Sequence, residues 1–274
     1  MDINTETEKR LWFVFCNDQL LVEKNNGRLS IPYQNEPPTP INQWTRVHEL
    51  SMFDGEVFNA YSIDKPVQEN DHYTMIGLRA SFDILIRSQY QKAGKAHELI
   101  YWDKNSHYCP VCGMPMTFNS AISKICNNCG KEIWPTVATA IIVLIQKEDQ
   151  ILLVHAKNFR GDYYGLVAGF VETGETLEEC VEREVMEETG LKIKNIKYFA
   201  SQAWPYPCGL MVGFTAEYES GEIKLQASEL SAGNFFTKEN MPNIPGKVSL
   251  ARMLIDHWLE KQSRQETNNK PDFQ

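Results

Sequence analysis

The sequence has no long apolar run, no excess of positive charge and no internal repeat, and its seven cysteines are an odd number. Each absence excludes a class. The run Leu11 to Cys16 is far shorter than the roughly 20 residues of a spanning helix and too short for a secretory h-region, so the expectation is a cytoplasmic protein with no membrane partner. With 27 Lys and Arg against 36 Asp and Glu, a formal charge of -9, the chain lacks the basic surface that drives broad adhesion to nucleic acid. Two CxxC pairs and three singles, Cys16, Cys180 and Cys208, suit metal ligation better than a disulfide framework. What is present, 42% hydrophobic and 11% aromatic residues over 274 positions, is enough for a buried core and more than one domain.

Residues 1–104 read as an irregular α+β domain, with strand-like runs at Leu11 to Cys16 and Glu56 to Ile63 and helical stretches at Ser81 to Gln91 and Ala93 to Tyr101. Residues 105–133 hold the paired cysteines. From 134 to 262 the runs AIIVLI and ILLVH, separated by the polar turn Lys147 to Gln150, open a denser domain. Strands are expected at Lys192 to Ala203, Leu210 to Glu219 and Asn234 to Phe236, an amphipathic helix at Val248 to Glu260, and a disordered polar tail over 263–274.

Cys109-Pro-Val-Cys112 and Cys126-Asn-Asn-Cys129 are separated by thirteen residues, and each is followed by a glycine, Gly113 or Gly130, that lets backbone amides turn toward thiolate sulfur. Four thiolates at this spacing close a tetrahedral Zn2+ site with no position open for substrate, which makes its role structural. Contact with nucleic acid through the ribbon is the second reading, and His107 is an alternative ligand that four cysteines make unnecessary.

Acidity is concentrated between Glu172 and Glu188, where eight glutamates fall within seventeen positions. Thr176 and Glu179 form a capping box for a helix starting near Leu177, and Gly190 supplies its left-handed stop. Glu184, Glu187 and Glu188 stand at i, i+3 and i+4, about 5 to 6 Å apart at Cβ on one helical face. Unpaired, that arrangement is unfavourable. Hard oxygen ligands select Mg2+ or Mn2+, which can neutralise phosphate charge and acidify a bound water, as diphosphate hydrolysis requires. Val181 and Val185 face elsewhere and would dock the helix on a sheet, while Arg183 is placed to orient the neighbouring glutamates. The plain alternative is a solvated acidic helix.

The full pattern Gly169-x5-Glu175-x7-Arg183-Glu184-Val185-x-Glu187-Glu188-x-Gly190-Leu191 resembles the Nudix hydrolases. The resemblance implies their α/β/α sandwich around a mixed sheet, within an α+β multi-domain chain. It further implies the Ala168 carbonyl and Glu229, in Ala227-Ser-Glu-Leu230, as added Mg2+ or Mn2+ ligands, Glu229 also as a candidate to activate water. Ten residues after the box, Ser201-Gln-Ala-Trp204-Pro-Tyr206-Pro-Cys-Gly209 resembles SQPWPFPxS, the mark of the NADH pyrophosphatase branch, whose members in bacteria also remove NAD caps from RNA. In that branch the loop covers the nicotinamide end, which makes Gln202, Ala203, Trp204, Pro205, Tyr206, Pro207, Cys208 and Gly209 candidate substrate contacts. Prolines pre-order such a loop. Ala203 stands where the family has proline and Gly209 where it has serine; the second change removes a hydroxyl and loosens selectivity for NADH.

Trp134 and Phe170 are candidates to stack on a base or, equally, core aromatics; Ser249 and Arg79 are further candidate contacts. The resemblance implies a homodimer that cleaves NADH or NAD+ to nicotinamide mononucleotide and AMP and that also removes NAD caps from RNA. The alternatives are hydrolysis of ADP-ribose or another nucleoside diphosphate, and a non-catalytic nucleotide-sensing or nucleic-acid-binding protein.

Overall fold

A computed structural model describes residues 8–159 and 161–268, the side chains of 265–268 excepted. The described residues gather into two compact units, one formed by residues 8–136 with 205–208, the other by 137–159, 161–204 and 209–268.

In the first unit, strands β1 (Arg10–Cys16), β2 (Gln19–Asn25), β3 (Arg28–Ser30), β4 (Tyr33–Gln34), β5 (His48–Ser51), β6 (Val57–Ser62) and β7 (Tyr73–Gly77) form one sheet, with β1 parallel to β6 and antiparallel to β2. Its central strand is buried along its length from Leu11 to Cys16, and Trp12 and Val14 pack with Leu21 and Tyr61. A single 3-10 turn, Ala80–Asp83, precedes helix α1 (Arg87–Lys104). The helix expected from Ser81 therefore starts later: Ile86 is extended and its carbonyl accepts from the Tyr90 amide, so regular helix begins one residue on and runs unbroken through Lys92. The cysteine segment folds as a small separate sheet of β8 (Met116–Ser120), β9 (Ser123–Cys126) and β10 (Glu132–Ile133). Lys124 on β9 is buried and binds the Asp103 carboxylate at 2.6 Å, and Asp103 also bonds His48 at 3.2 Å.

In the second unit, β11 (Ala138–Lys147), β12 (Gln150–Ala156), β13 (Val167–Phe170), helix α2 (Leu177–Thr189), β14 (Lys192–Trp204), β15 (Gly209–Ser220), β16 (Leu230–Phe236) and helix α3 (Leu250–Asn268) follow in order. The sheet is mixed: β11 lies parallel to β15 and antiparallel to β12 and β13. Because side chains alternate along a strand, Ile141, Val143 and Ile145 meet Val181 and Val185 of α2, whereas Ile142 and Leu144 meet Leu250, Leu254 and Trp258 of α3. Both faces are thus covered, the α/β/α sandwich anticipated above. Helix α3 runs to Asn268 and so takes in the first part of the tail expected to be disordered over 263–274; its i,i+4 pair Arg264–Glu260 shows polar residues carrying the helix past its apolar stripe. The rest of that tail, 269–274, lies outside the described residues. Among the described residues no helix is long and apolar enough to cross a membrane.

Candidate active site and cysteine cluster

The glutamate helix is capped at both ends as its sequence demands. Thr176 accepts from the Glu179 amide while Glu179 accepts from the Thr176 amide, and Gly190 closes the helix at φ 71°. This fixes the phase of α2, with Val181 and Val185 fully buried, and Glu184 and Glu188 turned to the side that faces β13. Gly169 on β13 makes that possible: a Cβ there would lie 2.0 Å from the Glu184 carboxyl carbon. Any side chain at 169 would displace the carboxylate. Ala168, its neighbour, pairs with Ile142 of β11.

Arg183 organises the acids. Its guanidinium donates to Glu175 at 2.7 and 2.9 Å, to Glu184 at 2.8 Å, to Glu187 at 3.2 Å and to the Phe170 carbonyl at 3.0 Å. Glu175 also accepts from the Glu172 amide, and these bonds, the one from Arg183 foremost, hold its carboxyl at about 2. Glu175 belongs to the box, and its role emerges from the fork geometry of Arg183.

Glu188 is 5% exposed, and burial, followed by the charges of Glu184, Glu229 and Glu187, pushes its carboxyl up to about 8. Burial and the charges of Glu187 and Glu229 raise Glu184 as well, against the pull of Arg183. Glu229 therefore lies close enough to act on both, although more than forty residues separate it from Glu184 in the chain. Its segment is tied down by backbone bonds from Gln226 to the Glu188 carbonyl at 2.9 Å and from Lys157 to the Glu229 carbonyl at 2.8 Å. Like-charged carboxylates forced together in a partly dry site, with room made for them by a glycine, are a donor set suited to hard divalent cations.

The cysteine cluster is built from two equivalent knuckles. Gly113 and Gly130 both adopt left-handed φ, 71° and 73°, and donate to the carbonyls of Cys109 and Cys126, each at 2.9 Å. Cys109 and Cys129 sulfurs are 3.5 Å apart, Cys112 and Cys126 also 3.5 Å, Cys112 and Cys129 3.6 Å. A tetrahedron with Zn–S of about 2.3 Å has S–S edges of roughly 3.8 Å, so the four sulfurs fit one zinc ion. The Met114 amide and the other sulfurs lower the Cys112 thiol to about 6; Cys129, despite the Lys131 amide, is pushed up to about 12 by its neighbours. His107 is not in this cluster.

The aromatic loop divides between the units. Gln202, Ala203 and Trp204 lie on β14, with Trp204 paired to Gly209 across the hairpin. Gln202 donates to the Val248 carbonyl at 2.7 Å, and its buried side-chain oxygen has no hydrogen-bond partner. Ser249 is buried and occupied as a cap: its hydroxyl donates to the Gly246 carbonyl at 3.0 Å and accepts from the Arg252 amide at 3.3 Å. A substrate contact by that hydroxyl would compete with two existing bonds. A Cβ at Gly209 would meet the carbonyl oxygens of Trp204 and Ala138 at 3.2 and 3.3 Å, tighter than an ordinary contact. Pro205, Tyr206, Pro207 and Cys208 group with the first unit, Pro205 buried and Tyr206 half-buried. There the charge of Arg79 acts on the phenols of both Tyr206 and Tyr90. Trp134 is 55% exposed and Phe170 66%, which removes the core reading for both.

Residues 135–256 match the family described as the NUDIX domain, and residues 9–102 match the NADH pyrophosphatase-like rudimentary NUDIX domain. The second match covers a region in which the sequence showed no chemical motif. The chain is 35% identical over 258 residues to the NAD-capped RNA hydrolase NudC of Photorhabdus laumondii, covering 93% of this chain and 95% of that protein. It is 40% identical over 198 residues to the NudC of Photobacterium profundum, covering 70% and 71%, and 38% identical over 191 residues to that of Escherichia fergusonii, covering 69% and 74%. With the box residues in place and similarity of this extent, the chain belongs to the NADH pyrophosphatase branch of the Nudix hydrolases.

Proposed function

We propose that the protein hydrolyses the diphosphate of NADH or NAD+, releasing the corresponding nicotinamide mononucleotide and AMP, and removes NAD caps from RNA by the same cleavage. The observation that carries the reading is that Glu229 lies near enough to act on both Glu184 and Glu188: burial first, then the neighbouring acid charges, raises the carboxyls of these two. Mg2+ or Mn2+ held by Glu184, Glu187, Glu188, Glu229 and the Ala168 carbonyl would neutralise phosphate charge and make water a better nucleophile. The chain's own contribution is positional: Arg183 fixes the Glu184 and Glu187 carboxylates, and Gly169 gives the first of these its space. Glu229 is assigned to metal binding or to taking the proton of the attacking water.

Exposed Phe170 and Trp134 are assigned to flat bases, and Gln202, whose side-chain oxygen still lacks a donor, to a polar group of the substrate. Trp204 to Gly209 are assigned to the nicotinamide side, as the family's loop is. The similarity to NudC proteins named as NAD-capped RNA hydrolases supports capped RNA as a substrate. Gly209 favours a second substrate class, ADP-ribose and its relatives, because the family's serine hydroxyl is missing. Zn2+ on the four cysteines is structural, and the protein is a cytoplasmic homodimer.

The test is a product assay on NADH, NAD+, ADP-ribose and NAD-capped RNA with Mg2+ or Mn2+, comparing wild type with Glu188→Gln. From wild type alone, the expected products are the nicotinamide mononucleotide and AMP from NADH and NAD+, nicotinamide mononucleotide and 5'-monophosphorylated RNA from the capped RNA, and ribose 5-phosphate and AMP from any ADP-ribose cleaved. Tight NADH binding without any hydrolysis would favour a sensing protein instead.

A further inference from the structure

Helix α1 carries Tyr90, Gly94 and His97 at i, i+4 and i+7, one stripe of its surface. All three meet the segment 205–208, which groups with the same unit. The hydroxyls of Tyr90 and Tyr206 share a hydrogen bond of 2.7 Å, and Tyr90 is itself braced edge-on by Phe82, centroids 5.2 Å apart. One turn on, a Cβ at Gly94 would stand 3.2 Å from Cγ and 3.6 Å from Cβ of Pro205. Glycine is disfavoured inside a helix relative to alanine, so Gly94 is out of place until the proline ring lying on it is considered. The His97 imidazole, half-buried further along, faces the backbone of Pro205 and of Asn17 and leans on Phe15 at 5.2 Å. Nothing in the cleavage chemistry uses these three residues.

We propose that the Tyr90–Gly94–His97 stripe is a positioning seat for the aromatic loop, and that it sets the preference for a nicotinamide dinucleotide over a nucleoside diphosphate that lacks the second base. The seat grips Pro205 and Tyr206, the residues immediately after Trp204, and two prolines in four residues leave the segment few ways to absorb a shift. A displacement at the helix therefore reaches Trp204 and Gly209, the paired ends of the hairpin. The inference rests on the loop's assignment to the nicotinamide side.

Gly94→Ala inserts the crowding methyl group while favouring the helix, and Tyr90→Phe removes the shared hydrogen bond alone, so neither change should cost folding. With full-length, zinc-loaded protein, kcat and KM are measured on NADH and on ADP-ribose. KM for NADH is expected to rise about three- to tenfold in each variant, the size of one lost hydrogen bond, with kcat and both ADP-ribose constants within about twofold of wild type. Trp204→Ala is run beside them. If it loses the NADH preference while Gly94→Ala and Tyr90→Phe keep it, the seat is overturned and the loop's assignment stands. If all three keep the preference, the loop's assignment fails and the seat with it. A parallel loss on both substrates would mark α1 as merely structural and also overturn the proposal.

Discussion

The cysteine ribbon and the glutamate helix are both crowds of like ionisable side chains, and they are assembled in opposite ways. The ribbon takes its four sulfurs from two short knuckles that repeat one backbone geometry, and all four lie within 4.8 Å of one another. The glutamate site takes three carboxylates from one helix and the influence of a fourth from a distant loop, with Glu188 buried and Glu187 exposed. A closed tetrahedron spends every coordination position on protein, whereas a one-sided set of acids leaves positions for water and phosphate.

The widest separation between the two is expected from Glu188→Gln. Activity on NADH should fall by about a thousandfold or more, since a divalent cation supplies several kcal/mol of transition-state charge stabilisation. Metal-free stability should instead rise. Glu188 has a folded-state value of about 8, above its ordinary one, so in the absence of cation it destabilises the fold progressively as pH climbs from about 4.5 to 8. Glutamine removes that dependence, and thermal melts at pH 5 and 8 in chelator would read it. A variant that is inactive and also less stable at pH 8 would break the contrast.

Metal removal should divide the two clusters next. A mild chelator is expected to abolish turnover reversibly, with Mg2+ or Mn2+ restoring it, and to leave the melting temperature little changed near pH 5 and lowered only toward pH 8, where Glu188 without a cation opposes folding. Stripping zinc, or Cys112→Ser, should lower the melting temperature by about 10 °C or more and resist rescue by Mg2+, because a structural site contributes folding energy outright. Metal analysis giving far less than about one zinc per chain would remove the ribbon from the comparison.

What was legible in the sequence was what is local. The capping box Thr176–Glu179, the stop at Gly190 and the two CxxC-Gly knuckles each lie within a few residues, so spacing alone fixes their geometry. The continuous apolar run Ala140 to Ile145 reads as a strand for the same reason, and the structure shows it buried on both faces. Helix α1 starts later than the sequence suggests because Ser81 to Leu85 carries helical periodicity but closes only a 3-10 turn before Ile86 extends. Glu229 and the grip of Tyr90 on Tyr206 depend on contacts across more than forty and more than a hundred residues, respectively, and no local pattern announces them. Ser249 is a candidate contact in the sequence, and only the structure shows its hydroxyl already spent on capping α3.

The acid limb of stability belongs to the ribbon's side of the comparison. Burial opposes the charge on Asp103, but bonds from His48 and Lys124 outweigh it and hold the carboxyl at about 2. A depressed acid contributes stability that is present above its ordinary value near 4 and is lost as pH falls toward 2, here about 2 kcal/mol. Asp103→Asn should flatten the pH dependence of unfolding between 4 and 2, and leave the metal dependence of turnover unchanged. An unaltered acid transition would mean that the Lys124 anchor is not where the acid sensitivity lies.

The smallest effect is expected at Gly209, where the two kinds of order meet. Gly209→Ser restores a hydroxyl that could bond substrate for about 0.5–1.5 kcal/mol. Its Cβ, however, must enter a space where two carbonyl oxygens stand at 3.2 and 3.3 Å, so the Trp204 and Ala138 backbones have to give by a few tenths of an ångström. The gain and the crowding are of similar size, and KM for NADH is expected to move by less than about threefold. A larger fall, with ADP-ribose unchanged, would show that the hairpin yields freely and that substrate choice is written in residue 209; a small change would return that choice to the backbone around Trp204 that positions the loop.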